Sequence, residues 1–397
     1  MKVALLTSGG LAPCLSAAVG FLLQRYDDLD PDTEVIGYLN GYQGLLQGRS
    51  RIFPRSVRKQ ASRLLAFGGS PIGNSRVKLS NTADCEKKGL IRPGENPFEV
   101  AAKQLMADHV QVLHTIGGDD TSTTAAELAK FLQKNHYPLQ VVGLPKTIDN
   151  DIVPVQLSLG ATTAAEQGAL FFENIVHEHT TTPGMLIVHE VMGRHCGWLT
   201  YETARCYCER FKQRRFVPEL GFLQAAFEIH GIYVPEIPFD LEVEVARLKP
   251  IYERLGSLNL FVSEGVGLDS MVSLIEADGK KLERDAFGHI KMADVNVGQW
   301  IGKELQKRIG AKKLLVQKSG YFARSARANA ADLHRIQSYV DYAVECAFNR
   351  QSGLIGQDTR YHNQLRCIEF EAVSGNRPLN VQDPGIKAFL TQIHDPQ

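Results

Sequence analysis

Two short segments concentrate the chemistry of this chain: Gly117-Gly118-Asp119-Asp120-Thr121 and Pro145-Lys146-Thr147-Ile148-Asp149-Asn150-Asp151. They bring four carboxylates and one lysine. That set suits moving a phosphoryl group: an acid to hold a metal, a base for a hydroxyl, and a cation for spreading negative charge. Each segment follows an apolar, β-branched run, residues 110–116 and 139–144, and each precedes a helix-like stretch. In an open α/β sheet the loops at the carboxyl ends of strands form the ligand crevice, so both segments should be aimed at one place.

One carboxylate of the Asp119-Asp120 pair is enough to cap a helix. The second adds repulsion unless a cation or a donor group faces it. A hard metal such as Mg²⁺, held by one or two carboxylates plus substrate phosphates, would account for both. In the second segment Asp149 can take a proton from a sugar hydroxyl. Lys146 can neutralise charge on a phosphoryl in transfer. The plainer alternative there is a polar turn leading into the next helix.

The remaining candidates are weaker alone. Gly9-Gly10, after the first apolar run, would let backbone N–H groups approach a phosphate, or would simply make a tight turn. The segment has neither the GxGxxG nor the GxxxxGK[ST] spacing. Arg194 and Arg324 both sit past strand-like runs, where each can hold a phosphate oxygen or form a surface ion pair. His189 and His195 flank Met192-Gly193-Arg194 and read as packed or hydrogen-bonded histidines rather than catalytic ones.

The elements that position these groups repeat as strand, loop, helix. Strands are expected at residues 3–7, 35–38, 110–116, 139–144, 185–191, 258–262 and 314–318. Helices are expected at 15–26, 99–108, 160–176 and 330–348. Glycine-rich bends fall at 40–44 and 68–76, and residues 78–97 read as polar surface. Such alternation argues for parallel sheets covered by helices.

A chain of 397 residues is too long for one small core, so two domains are expected. Lys+Arg and Asp+Glu are 44 each, so no global field favours nucleic acid or an anionic membrane. Recognition of phosphate must be local; the one basic cluster, residues 210–215, reads as a solvated helix face. Seven scattered cysteines, with Cys206 and Cys208 too close for a zinc pair, fit reduced thiols and a cytoplasmic location. No signal peptide and no membrane span is expected.

With these loops in order, the chain resembles the phosphofructokinase family, and most of all its diphosphate-using branch. The likeness runs from Thr7-Ser8-Gly9-Gly10 to about Arg350. It rests on the loops at 117–120 and 145–151, Met192-Gly193-Arg194, Glu264-Gly265 and residues 321–324. It implies two Rossmann-like, three-layer α/β/α domains with mainly parallel sheets and an active site in the cleft between them. Residues 1–144, with roughly 322–360, would bind diphosphate and Mg²⁺; residues 145–321 and the C-terminal tail would bind fructose 6-phosphate.

The resemblance implies reversible, Mg²⁺-dependent phosphoryl transfer from diphosphate to the 1-hydroxyl of fructose 6-phosphate, by a homo-oligomer, foremost a dimer. Asp149 is then the base. Thr147, Ile148, Asp149, Met192, Gly193 and Arg194 contact the sugar, and Glu264, Tyr321, Phe322, Ala323 and Arg324 complete the sugar-phosphate pocket. Gly10, Arg76 and Lys146 face diphosphate, and Asp119 serves Mg²⁺. ATP-using relatives typically carry glycine at the positions of Asp120 and Lys146. Here the Asp120 side chain would occupy the place of a nucleotide α-phosphate, while Lys146 would reach the phosphoryl in flight.

Two departures accompany this likeness: Leu11 follows the glycines where many ATP users carry aspartate, and Met185 stands where bacterial ATP users place an arginine across a subunit interface. The competing readings are an ATP-dependent kinase of the same family and a non-catalytic regulatory subunit. A regulatory subunit would be expected to have lost Asp119 or Asp149, and both are present. A Rossmann dehydrogenase would need the dinucleotide fingerprint, which is missing.

Overall fold

The computed structural model describes residues 1–268, 271–272 and 295–395. Among them the strands are, in chain order, β1 Lys2–Thr7, β2 Glu34–Tyr38, β3 Ser50–Ile52, β4 Val112–Gly117, β5 Gln140–Pro145, β6 Met185–Val191, β7 Gly231–Tyr233, β8 Ser257–Ser263, β9 Lys313–Lys318, β10 Gly353–Asp358 and β11 Gln364–Ile368. The chain divides into two compact units: Met1–Ala164 with Arg324–Arg377, and Ala165–Ala323 with Pro378–Gln397.

The first unit is built on a seven-stranded sheet ordered β11-β10-β5-β4-β1-β2-β3. The central strands are parallel, and β3 and β11 pair antiparallel at the two edges. Strand β4 is fully buried, as a parallel strand covered on both faces must be. On one face, helices Leu15–Leu29 and Ala330–Phe348 pack together, tied by Arg25 to Asp341 at 3.2 Å. On the other, helices Pro97–Ala107 and Asp119–Lys134 bury Ala101, Leu105, Leu128 and Leu132 against Leu113 and Val141.

Register then sets the site. Thr7 pairs with Ile116 and Gly117 with Pro145, so β1, β4 and β5 end side by side. After β1 the chain adds β2 on one side and returns to add β4 on the other. Strand order therefore reverses between β1 and β4, the position where open α/β sheets bind ligands.

The second unit has a four-stranded, all-parallel sheet ordered β7-β8-β6-β9. Helices Leu241–Leu255 and Val297–Ile309 cover one face, burying Leu248, Ile301 and Leu305 against Leu186, Val188 and Leu260. On the other face the Phe172 ring meets Tyr207 and Phe261 edge-on, with ring centroids 4.8 and 4.6 Å away. Val191 pairs with Ser263 and Glu190 with Lys318, which aligns the ends of β6, β8 and β9.

Three expectations change. The division falls within helix Ala161–Ile175, not at residue 144. The reason is β5: its following loop stays bonded to the first sheet, through Lys146 N–H to the Gly117 carbonyl at 2.7 Å and Leu159 N–H to the Pro145 carbonyl at 2.8 Å. The first unit also reaches to Arg377, because β10 and β11 extend its sheet. Residues 78–97 are not merely surface: Leu79 and Cys85 are buried in the first core around helix Thr82–Lys87.

Candidate active site

In the first unit, three loops converge. The backbone N–H of Gly9 donates to the Ser75 carbonyl at 2.9 Å, and Thr7 Oγ1 donates to the Gly73 carbonyl at 2.7 Å. Residues 68–76 are thereby fastened to the Gly9-Gly10 turn. Lys146 crosses from the β5 loop, and its Nζ donates to the Gly10 carbonyl at 2.6 Å. Its side chain is buried, and burial pushes the ammonium down to about 8, with the Arg76 and Arg324 guanidiniums adding to the effect and Asp149 opposing it. Lys146 is thus a desolvated cation, with Asp149 on one side of the charge balance and two arginines on the other.

Asp119 and Asp120 open helix Asp119–Lys134, whose N-cap is Gly118, with no side-chain cap. The first turn of a helix favours negative charge. Asp120 points outward and pairs with Lys78 at 2.5 Å. Asp119 is half-buried; burial first, then the Asp120 and Asp151 carboxylates, raise its pKa. Burial also raises Asp151, and its Oδ1 is buried with no hydrogen-bond donor among the described residues.

The loop after β5 is braced from within. Asp149 N–H donates to Thr147 Oγ1 at 3.1 Å, and Ser158 Oγ donates to the Thr147 carbonyl at 2.8 Å. Asn150 adopts φ +52° and accepts the Ser158 N–H at Oδ1, 3.0 Å away. Asparagine tolerates that left-handed conformation better than most residues. Ile148 is buried, so what it can offer a ligand is its backbone.

Among the described residues, no three His, Cys, Asp or Glu side chains are arranged to hold a metal by themselves. Mutually repelling Asp119, Asp120 and Asp151, with one orphaned buried oxygen, nonetheless suit a hard cation that completes its shell with phosphate oxygens.

In the second unit the loops after β6 and β8 are knitted together. Ser263 Oγ donates to the Gly193 carbonyl at 2.5 Å, and Gly193 N–H donates to Glu264 Oε1 at 3.4 Å. Gly193 has φ +130°, and a Cβ there would collide with the Cys196 carbonyl, so only glycine fits. Burial raises the Glu264 carboxyl, while Arg194 and Lys318 counter it. Met192 packs by its sulfur against Gly320. Residues 321–324, expected past a strand end, form the short helix Gly320–Ser325. Tyr321 and Phe322 are exposed, Ala323 is buried, and the Phe322 ring rests on Phe171 at 5.6 Å.

The structure therefore gathers Gly10, Arg76, Asp119, Asp120, Lys146, Thr147, Asp149 and Arg324 in the first unit. It places Met192, Gly193, Arg194, Glu264, Tyr321, Phe322 and Ala323 in the second. His189 is wholly buried among Phe171, Phe172 and Phe261, as the packed reading has it. In the basic cluster, Arg210 and Arg214 both grip Glu173, at 2.6 and 3.0 Å, rather than lying free on a helix face. Sequence reasoning missed Lys78 and Arg377. Lys78 does carry a signal, a cation two residues past Arg76 at the end of a glycine loop.

The family model described as Phosphofructokinase matches residues 2–347. The chain belongs to the phosphofructokinase family. A pyrophosphate–fructose 6-phosphate 1-phosphotransferase from Methylotuvimicrobium alcaliphilum is 53% identical over 392 residues, covering 99% of this chain and 96% of that protein. An enzyme of the same name from Mastigamoeba balamuthi is 53% identical over 395 residues, covering 100% of this chain and 96% of that one. Among solved structures, a pyrophosphate-dependent phosphofructokinase from Nitrosospira multiformis shares the fold with a TM-score of 0.70 at 20% identity, covering 94% of this chain and 84% of its own. The two-unit, parallel-sheet architecture is thus that of phosphofructokinases. Among the described residues, no helix is long and apolar enough to cross a membrane.

Proposed function

We propose that this phosphofructokinase-family chain transfers a phosphoryl group reversibly from diphosphate to the 1-hydroxyl of fructose 6-phosphate, giving fructose 1,6-bisphosphate and phosphate. The observation that carries the reading is Lys146, a buried cation fixed on the Gly10 carbonyl, with Asp149, Arg76 and Arg324 as its charged neighbours. A cation held there can meet the charge of a small, wholly anionic donor without help from a nucleotide.

In the forward direction Asp149 accepts the proton of the sugar 1-hydroxyl as that oxygen attacks phosphorus. The new P–O bond forms while the bond to the bridging oxygen of diphosphate breaks, and that oxygen leaves with the second phosphate. Lys146 faces the negative charge spread over the transferring group. Asp119 would hold Mg²⁺, with Asp151 near it, and the bound ion would neutralise charge on the donor oxygens. Gly10 and Arg76 bind diphosphate. Thr147, Ile148, Met192, Gly193, Arg194, Glu264, Tyr321, Phe322, Ala323 and Arg324 bind the sugar phosphate. The protein acts in the cytoplasm as a homo-oligomer, foremost a dimer.

The deciding experiment measures fructose 1,6-bisphosphate formation from fructose 6-phosphate and Mg²⁺ with either diphosphate or ATP. Turnover with diphosphate and background turnover with ATP are expected. Turnover with ATP alone would overturn the donor assignment, and none with either would favour a regulatory subunit.

A further inference from the structure

The family match ends at residue 347, yet the chain beyond it touches the reactive loops of the first unit. Ser374 and Val153 exchange backbone hydrogen bonds at 2.7 and 3.0 Å. The next residue, Gly375, passes so close to Asp119 that a Cβ built on it would overlap the Asp119 carboxyl. Two residues further, Arg377 donates its backbone N–H to the Asp151 carbonyl at 2.9 Å. Its guanidinium then spans the loop: Nη2 to the Asn150 carbonyl at 2.5 Å and the Gln156 carbonyl at 3.3 Å, and Nη1 to the Val155 carbonyl at 2.8 Å.

A guanidinium offers a planar fork of donors, and an ammonium cannot reproduce that spread. Here the fork closes a turn that begins one residue after Asp149 and contains Asp151. Asn150, the first carbonyl gripped, is also the residue held at positive φ. The grip therefore fixes the backbone that sets the direction of the Asp149 carboxylate. Small misplacements of a reacting group cost rate far more than they cost affinity.

We propose that Arg377 is a positioning residue for the phosphoryl transfer: the strap 374–377 holds the Asp149–Asp151 turn in its reactive geometry, with Gly375 leaving room for the Asp119 carboxyl. The inference rests on the phosphotransferase reading above. It gives the C-terminal segment a part in turnover, distinct from substrate binding.

The test compares wild type, Arg377→Ala and Arg377→Lys in the full chain, with kcat expressed per folded molecule. Hydrogen–deuterium exchange is followed in peptides covering residues 147–158. Arg377→Ala should lower kcat about 10- to 100-fold, with the KM for fructose 6-phosphate and for diphosphate nearly unchanged. Exchange in 147–158 should speed up. Arg377→Lys should lie between, and added guanidinium ion should restore part of the Ala variant's kcat. A kcat within twofold of wild type, or a loss matched by loss of folded protein, would overturn the proposal. Unchanged exchange in 147–158 would overturn it too. A wild type silent with diphosphate would instead sink the donor reading, and the exchange measurement would still judge the strap.

Discussion

The Lys78 ammonium lies 2.5 Å from the Asp120 carboxylate, at the mouth of the loop that follows β4. Both partners keep contact with solvent, so the pair contributes little to stability. Its effect is on placement. Asp120 sits in the first turn of helix Asp119–Lys134, where its backbone is fixed, and Lys78 fixes the rotamer. The result is a tethered side chain beside the donor loops, with its charge partly balanced. On the diphosphate reading, a carboxylate that would otherwise repel the donor becomes mainly an obstacle of shape and local charge to anything longer.

The base is tested first. Asp149→Ala should leave the fold and sugar binding largely intact but lower kcat by roughly 10²–10⁴-fold, the range for loss of a general base. Steady-state kinetics with a thermal melt as control would decide it. Retention of more than about a tenth of turnover would remove Asp149 from that role.

Lys146 carries a pH signature. With its pKa in the free protein near 8, the ammonium is lost as pH rises through that value. The kcat/KM for diphosphate, which reports the free enzyme, should therefore fall on the alkaline side with a midpoint near 8. Lys146→Ala should abolish that limb and lower kcat by about 10²-fold, the scale for one electrostatic stabiliser. A change confined to the KM for diphosphate would make Lys146 a ground-state clamp instead.

Arg324 should show two effects. Arg324→Ala should raise the KM for fructose 6-phosphate by roughly 1.5–3 kcal/mol, the scale for a hydrogen bond to a charged group. The Arg324 charge also helps depress Lys146, so its removal should move the alkaline limb to higher pH. An effect on diphosphate alone would assign Arg324 to the donor.

How far the sequence reached follows from what leaves a pattern in it. The loops at 117–120 and 145–151 were legible because each ends a β-branched run, and adjacent like charges are costly without a reason. Register then confirmed their company, Gly117 opposite Pro145. Strands β10 and β11 were not legible, since they pair near the sheet edge and β11 mixes Gln364 and Arg366 with its apolar residues. Arg377 left no signal because the hydrogen bonds that its guanidinium makes to the loop end on backbone carbonyls 221 to 227 residues earlier. A carbonyl has no residue identity, so no spacing or composition could point to it. The boundary at 144 failed for a related reason: the bonds that keep residues 146–159 on the first sheet are also made by backbone.

Donor choice is the sharpest test of the Asp120 geometry. A nucleotide's α-phosphate would have to approach that carboxylate, and like charges a few ångströms apart repel. On the proposed reading, diphosphate ends before that point. Wild type should therefore turn over diphosphate and show background activity with ATP. Asp120→Gly removes the side chain and its charge while keeping the Lys78 ammonium in the neighbourhood, so ATP should be used measurably. Diphosphate turnover should weaken, because the carboxylate no longer helps organise the donor loops. Changing Lys146 to Gly as well should move the preference further toward ATP, since the cation that serves the short donor is lost with it. The measurement is kcat/KM for both donors in all three proteins at fixed Mg²⁺. If folded Asp120→Gly leaves ATP at background, exclusion lies elsewhere in the donor loops. The first places to look would be residues 68–76, which are bonded to the Gly9-Gly10 turn, and Leu11, which follows it.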